Sequence, residues 1–129
     1  MRILVVDPNP DNRRRIFAAM LDRQSEFRDG LTRYSVDSLD EAIARLAKTQ
    51  MDAVVCCESF PTHPRDKQEP RETQKNNWAA LASHCRNHDV KFLLYSDNCD
   101  LVDKMRAVKG LAFCTPKEVD SIVDALLIE

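Results

Sequence analysis

The residues best placed to do chemistry follow a short apolar stretch in the middle of the chain. Cys57, Glu58 and Ser59 come directly after residues 53–56, which are apolar without a polar break. A run this short, stopped soon afterwards by Pro61, is typical of a strand buried on both faces. Parallel sheets place ligand binding and catalysis at the carboxyl ends of their strands. What stands at these three positions therefore largely determines the function.

Three more polar residues end other apolar runs in the same way. Asp7 follows residues 3–6, Ser96 follows residues 92–95, and Thr115 follows residues 111–114. If these runs are parallel strands, their carboxyl ends lie along one edge of the sheet.

Strand-like runs alternate with helix-like stretches five times along the chain. Because parallel strands need crossovers, and right-handed crossovers put helices on both faces of the sheet, this order predicts a doubly wound α/β domain with a five-stranded parallel sheet. Strands are expected at 3–6, 32–36, 53–56, 92–95 and 111–114, and helices at 10–23, 38–49, from 78, from 101 and after 115.

Capping residues support several of these helix ends. Asn9 with Pro10, and Ser38 with acidic residues after it, are typical helix starts. Thr115 and Glu118 have the spacing of a capping box around Pro116. Gly110 suits a helix stop before the last strand.

The segment 62–77 contains no large apolar residue. It holds Pro64, Pro70 and charged side chains of both signs. Such a segment cannot join a core, so we expect a long, mobile polar loop on the surface.

Length and composition indicate a single domain spanning residues 1–129. Hydrophobic residues make up 43% and charged residues 31%, and the net charge of -2 gives no basic footprint for nucleic acid. No apolar run approaches the roughly 18 residues of a membrane span, and the start lacks the apolar region of a signal peptide. We therefore expect a cytoplasmic location, no membrane contact and no direct nucleic acid binding.

The chain has five cysteines, an odd number without the spacing of a disulfide framework. In a cytoplasmic protein such cysteines are expected to be reduced thiols. This expectation covers Cys56, Cys57, Cys85, Cys99 and Cys114.

The order and spacing of these elements resemble the receiver domain of two-component response regulators, which has a flavodoxin-like fold. The resemblance spans nearly the whole chain. It is carried by residues 3–7, 38–42, 52–61, 95–96 and 110–116. The resemblance implies a phosphorylation pocket with an acidic pair after the first strand, an Asp after the third, a hydroxyl after the fourth and a Lys before Pro after the fifth. There a carboxylate attacks phosphorus while Mg²⁺ and Lys neutralise the phosphoryl charge.

Matched position by position, this chain keeps little of that pocket. Asp7 matches the first acid, but Pro8 takes the place of the metal-binding acid. Cys57 stands at the phosphoacceptor position, Ser96 matches the hydroxyl residue, and Thr115 replaces Lys. The resemblance therefore implies a degenerate pseudoreceiver with no aspartyl phosphorylation, no catalysis, no cofactor and no metal.

The resemblance also implies where a partner binds. Receiver-like domains commonly use the face of the fourth helix, fifth strand and fifth helix to contact a protein partner, a fused output domain or a second copy of the chain. Ala112 stands where the family often has a switching aromatic. The residues expected to contribute to this face are Asp100, Asp103, Lys104, Ala107, Ala112, Lys117 and Asp120. The segment 62–77 is a second candidate contact surface.

Two alternatives come from other functional classes. Cys57 is a candidate for a thiol-based redox sensor, although no Lys or Arg is evidently placed to lower its pKa. Asp7 and Ser96 could instead line the pocket of a ligand-binding flavodoxin-like domain. With only Gly30 and Gly110 in the chain, glycine-rich dinucleotide or phosphate loops are excluded.

Two further motifs could suggest a functional site, but their positions favour solvent-exposed residues. Glu58 could mimic a phosphorylated state, but neighbouring strand residues point to opposite faces, so we expect it to be solvated and outside the pocket of Cys57 unless the strand end turns. An alignment shifted by one residue would instead make Glu58 the phosphoacceptor. His84, Cys85 and His88 could suggest a metal site, yet their positions favour a solvated helix end.

Overall fold

Five strands and five α-helices alternate along the part of the chain that the structure describes. The structure is a computed structural model that describes residues 1–64, 68–109 and 111–128, with only the backbone of residues 108 and 109. The strands are β1 (Arg2–Val6), β2 (Thr32–Val36), β3 (Ala53–Cys57), β4 (Lys91–Ser96) and β5 (Ala112–Cys114). The helices are α1 (Pro10–Asp22), α2 (Leu39–Lys48), α3 (Arg71–Asn87), α4 (Cys99–Lys109) and α5 (Val119–Leu127).

All strand pairs are parallel, in the order β2-β1-β3-β4-β5. This is the doubly wound five-stranded sheet that the sequence predicts. Every residue of the central strand β3 is buried. The register pairs Cys57 with Tyr95 and Ser96 with Cys114, so the predicted site residues share one edge of the sheet.

Helices cover the sheet in two layers, with α1 next to α5 and α2 next to α3. Their inward side chains are fully buried against the strands, among them Ile16, Met20, Leu81, Ile122 and Leu126. Burying one such side chain stabilises the fold by about 1.5–3 kcal/mol. No helix in the described part of the chain is long and apolar enough to cross a membrane.

The first two helices begin where their capping residues predict. The Asn9 side chain accepts a hydrogen bond from the Asp11 N–H at 2.9 Å, and Pro10 is the first helical residue. The Ser38 hydroxyl oxygen accepts from the Glu41 N–H at 3.2 Å.

The predicted polar loop is shorter than expected, because α3 already begins at Arg71. The first two turns expose charged side chains that are good helix formers, and they bury a polar residue instead of an apolar one. Asn77 is 7% exposed, and its amide donates to the Phe60 carbonyl at 2.9 Å and the Thr62 hydroxyl at 3.1 Å. A search for apolar periodicity misses such a turn. Residues 65–67 lie outside the described residues.

The predicted capping box at Thr115 is also wrong. The Thr115–Pro116 peptide bond is cis, and α5 begins only at Val119. Each side chain of the motif bonds elsewhere: the Thr115 hydroxyl donates to Asp97 at 2.9 Å, and Glu118 accepts from the Cys114 N–H at 2.7 Å. The predicted helix stop at Gly110 lies outside the described residues.

The expectation of five free thiols is wrong for two cysteines. Cys99, at the start of α4, and Cys114, at the end of β5, form a disulfide with their Cα atoms 5.2 Å apart. Chain topology brings them together, because α4 leads directly into β5, and sequence spacing alone does not reveal this. Cys56, Cys57 and Cys85 are free and buried.

The buried Asn77 gives the first prediction. Asn77→Ala removes both amide hydrogen bonds between α3 and the segment after β3, so the free energy of unfolding should fall by about 1–3 kcal/mol. Urea denaturation measures the change. The control is Asn76→Ala on the same turn, where the side chain is exposed and the change should stay within about 0.5 kcal/mol. Equal effects at the two positions would contradict this role.

Candidate functional site

Asp7 anchors the carboxyl edge of the sheet. It is 2% exposed, and one carboxylate oxygen accepts the Asn9 N–H at 2.8 Å. The other oxygen accepts the Tyr95 hydroxyl at 2.6 Å and the Asn12 amide at 3.2 Å. A buried charge is tolerated when donors surround it in this way. The network ties β1 to the start of α1 and to β4.

Tyr95 is a site residue that the sequence analysis missed. Burial raises the pKa of its hydroxyl well above the usual value, and the neighbouring Asp7 charge raises it further. The hydroxyl therefore keeps its proton and donates a hydrogen bond to Asp7. The one available signal was a tyrosine at the end of a buried strand, because a buried tyrosine hydroxyl usually requires a partner.

Cys57 lies beside this network as a buried thiol. Its side chain donates to the Ser59 carbonyl at 3.1 Å, and the residue is 8% exposed. Burial, followed by the Asp7 charge, raises the pKa of the Cys57 thiol well above its usual value. Because the thiolate is the reactive form, this environment disfavours both phosphoryl transfer to Cys57 and its use as a redox sensor.

The expectation that Glu58 points away from the pocket is wrong. The strand ends at Cys57, so the alternation of side chains does not extend to Glu58. Glu58 lines the same cavity as Cys57, and its carboxylate accepts the Ser96 hydroxyl at 2.6 Å. The same hydroxyl oxygen accepts the Asn98 N–H at 3.1 Å. Ser96 is thus engaged both as donor and as acceptor.

Thr115 supplies a buried hydroxyl where a receiver has an ammonium. It is 2% exposed, and its hydroxyl donates to Asp97. An uncharged side chain that is already bonded offers a phosphoryl group no compensating charge.

All five predicted pocket residues surround one cavity of about 430 Å³: Asp7, Pro8, Cys57, Ser96 and Thr115. Two cations from α3, Arg71 and Lys75, also line it. Neither residue was predicted from the sequence, because both lie in the segment 62–77 that was expected to be a polar loop. The cavity combines these two cations with three carboxylates, those of Asp7, Glu58 and Asp97.

The Mg²⁺ ion that, by the resemblance, a complete receiver pocket holds does not fit this set of side chains. Pro8 offers no side-chain ligand, and both carboxylate oxygens of Asp7 accept hydrogen bonds from the protein itself. Across residues 1–64, 68–109 and 111–128, no group of three His, Cys, Asp or Glu side chains is arranged to hold a metal. We assign no metal-dependent step to the site.

The predicted partner face is largely exposed. Its surface residues are Asp100, Asp103, Lys104, Ala107, Lys117 and Asp120. Ala112 differs from them, because it is only 3% exposed. It supports the face from within β5.

Arg106 connects the elements of this face. Its guanidinium donates to the Ala112 carbonyl at 2.7 Å and pairs with Glu118. The hydrogen bond from Arg106, and then the one from the Cys114 N–H, lower the pKa of Glu118. The carboxylate therefore stays charged and holds α4 against the segment between β5 and α5.

The two histidines at the end of α3 contact each other. The rings of His84 and His88 stack with centroids 4.2 Å apart. Burial, followed by the charge of His88, lowers the pKa of His84. Cys85 is fully buried, and burial raises its pKa to about 12, which suits a small core residue.

Comparison with known proteins identifies the fold. No protein-family model and no curated protein matches this chain. Among solved structures, a putative response regulator from Chloroflexus aurantiacus matches with a TM-score of 0.65 and 14% identity, over 98% of this chain and 96% of that one. Chemotaxis response regulator CheY4 of Vibrio cholerae matches with a TM-score of 0.63 and 12% identity, over 97% of each chain. NtrX from Brucella abortus matches with a TM-score of 0.66 and 16% identity, over 98% of this chain and 26% of that one.

A designed Rossmann 2x3 protein matches at a similar level, with a TM-score of 0.62 and 12% identity over 98% of this chain and 88% of that one. Similarity of this degree therefore establishes the architecture and not the activity. The chain has the flavodoxin-like receiver fold, as the sequence predicts.

The Asp7 network gives the second prediction. Tyr95→Phe keeps the ring but removes one donor from a buried carboxylate, so the free energy of unfolding should fall by about 1.5–3 kcal/mol. Tyr34→Phe, on the edge strand β2 and outside this network, is the matched control and should change stability by less than about 0.5 kcal/mol. Urea unfolding of both variants measures the difference, and an unchanged Tyr95→Phe protein would show that the bond contributes nothing.

Proposed function

We propose that this chain is a receiver-like signalling module that works by binding a protein partner or a fused output domain. In this proposal it is a pseudoreceiver, without aspartyl phosphorylation and without catalysis of its own. The observation that carries the proposal is the hydrogen bond from Ser96 to Glu58 at the carboxyl edge of the sheet.

The proposal follows from what phosphoryl transfer requires. A nucleophile must attack phosphorus, and cations and hydroxyl donors must hold the phosphoryl oxygens. Cys57 presents a neutral, buried thiol instead of a carboxylate. The Ser96 hydroxyl already donates to Glu58, and the Thr115 hydroxyl already donates to Asp97.

Charge at the edge argues in the same direction. A phosphoryl group brings about -1.5 to -2 charges. It would enter a cavity whose three carboxylates already exceed its two cations, Arg71 and Lys75. Like charges at close range disfavour this addition.

Glu58 gives the edge a permanent substitute for a phosphoryl group. Its carboxylate engages the hydroxyl residue that, by resemblance, a phosphorylated receiver uses to bind phosphoryl oxygens. The module would then hold one signalling conformation at all times, and the abundance or location of its partner would set the output. A cytoplasmic location and the absence of direct nucleic acid binding are parts of this proposal.

Phosphoryl uptake is the third prediction. Incubation with acetyl phosphate, or with beryllofluoride and Mg²⁺, should leave the intact mass and the amide NMR spectrum of the protein unchanged, because a neutral thiol stands at the phosphoacceptor position and Thr115 replaces the Lys of a complete pocket. A receiver domain with a complete pocket, treated in parallel, is the positive control. A stoichiometric adduct on this chain would reject the pseudoreceiver proposal.

The partner face gives the fourth prediction. Lys104→Glu reverses an exposed charge on α4, and it should reduce recovery of a partner that co-purifies with the wild-type protein from its own cells. Arg15→Glu makes the same charge change at an exposed position on α1 and should leave recovery unchanged. The opposite order of effects, measured by quantitative mass spectrometry, would move the interface away from the α4–β5–α5 face.

A further inference from the structure

The disulfide between Cys99 and Cys114 connects two elements of the proposed partner face. Cys99 is the first residue of α4, and Cys114 is the last residue of β5. The bond closes a segment with a sequence separation of 15, which contains the whole of α4. Its presence or absence therefore changes how firmly the start of α4 is held against the sheet.

The two sulfurs differ in exposure. Cys99 is half-buried at the surface, whereas Cys114 is 4% exposed. A small thiol or disulfide from solution reaches Cys99 first, and Cys114 is placed to resolve the mixed disulfide that forms. This division of roles between an accessible and a sheltered cysteine is typical of reversible thiol–disulfide pairs.

We propose that Cys99 and Cys114 are a reversible dithiol–disulfide site that reacts with low-molecular-weight disulfides and sets the mobility of the first turn of α4. The Cys99 thiolate attacks one sulfur of the small disulfide, forms a mixed disulfide and releases one small thiolate. The Cys114 thiolate then attacks the Cys99 sulfur and releases the second. The two cysteine protons end on the two released small thiols, so two protein thiols are oxidised and one small disulfide is reduced.

Other contacts confine the effect to the beginning of the helix. Farther along α4, Arg106 holds the helix to the Ala112 carbonyl and to Glu118, and neither contact depends on the disulfide. At the start, Asn98 caps the helix by accepting the Leu101 N–H at 3.2 Å. Reduction should therefore loosen the first turn without releasing the helix. Asp100 and Asp103 of the proposed face lie in this part of α4.

The site is distinct from the redox sensor considered at Cys57. The raised pKa of Cys57 keeps that thiol protonated, and its side chain bonds to the Ser59 carbonyl. This thiol–disulfide site goes beyond the proposed function and does not depend on it. It can be tested on the isolated protein, without a partner.

The test is a redox titration of the full chain in glutathione buffers, with thiols counted by alkylation and mass spectrometry after denaturation. We expect one transition from five free thiols to three. Cys99→Ser should show four thiols at every ratio, whereas Cys57→Ala, at the same sheet edge, should still lose two. Cys114→Ala provides the same information as Cys99→Ser if either variant folds poorly.

Hydrogen exchange provides the second readout. Oxidation should slow amide exchange in residues 99–103 by about tenfold or more, and it should leave exchange in α5 unchanged. The inference is overturned by five free thiols at all buffer ratios, by a stable glutathione adduct on Cys99 as the final product, or by identical exchange of residues 99–103 in the two redox states.

Discussion

The carboxyl edge of this sheet depends on one buried negative charge. A carboxylate as enclosed as that of Asp7 is stable only when donors meet both of its oxygens. Those donors come from the first turn after β1, from α1 and from the end of β4, through Asn9, Asn12 and Tyr95. The hydrogen bonds to this carboxylate therefore fix the positions of β1, the start of α1 and the end of β4 relative to one another. They also mean that the protein itself occupies the group that a receiver would offer to a metal ion.

A second chain of hydrogen bonds extends from this edge to α4. Glu58 holds the Ser96 hydroxyl, Ser96 accepts the Asn98 N–H, and Asn98 caps the helix. Each of these hydrogen bonds joins two groups of the protein itself, so none of them depends on a phosphoryl group. In the proposed pseudoreceiver, the connection between the pocket and the partner face is therefore permanent, and any adjustment falls to the thiol pair at the start of α4.

Much of this arrangement could be predicted from the sequence, since apolar runs mark the strands and their order places Asp7, Cys57, Ser96 and Thr115 at one edge. Other features depend on contacts distant in sequence. Glu58 turns into the cavity because β3 ends one residue earlier, and the start of α3 is held by the buried amide of Asn77. The pairing of Cys99 with Cys114 follows from the packing of α4 on β5, which residue spacing does not report.

The central claim is that protein donors engage both oxygens of the Asp7 carboxylate, so that this edge does not take up a divalent cation. A titration with Mg²⁺, followed by the amide NMR signals of Asp7, Asn9 and Tyr95 and compared with NaCl at equal ionic strength, tests it most directly. We predict identical small drifts in the two titrations, to concentrations far above those of physiological Mg²⁺. A saturable shift confined to these three residues and Cys57, seen with Mg²⁺ alone, would contradict the account.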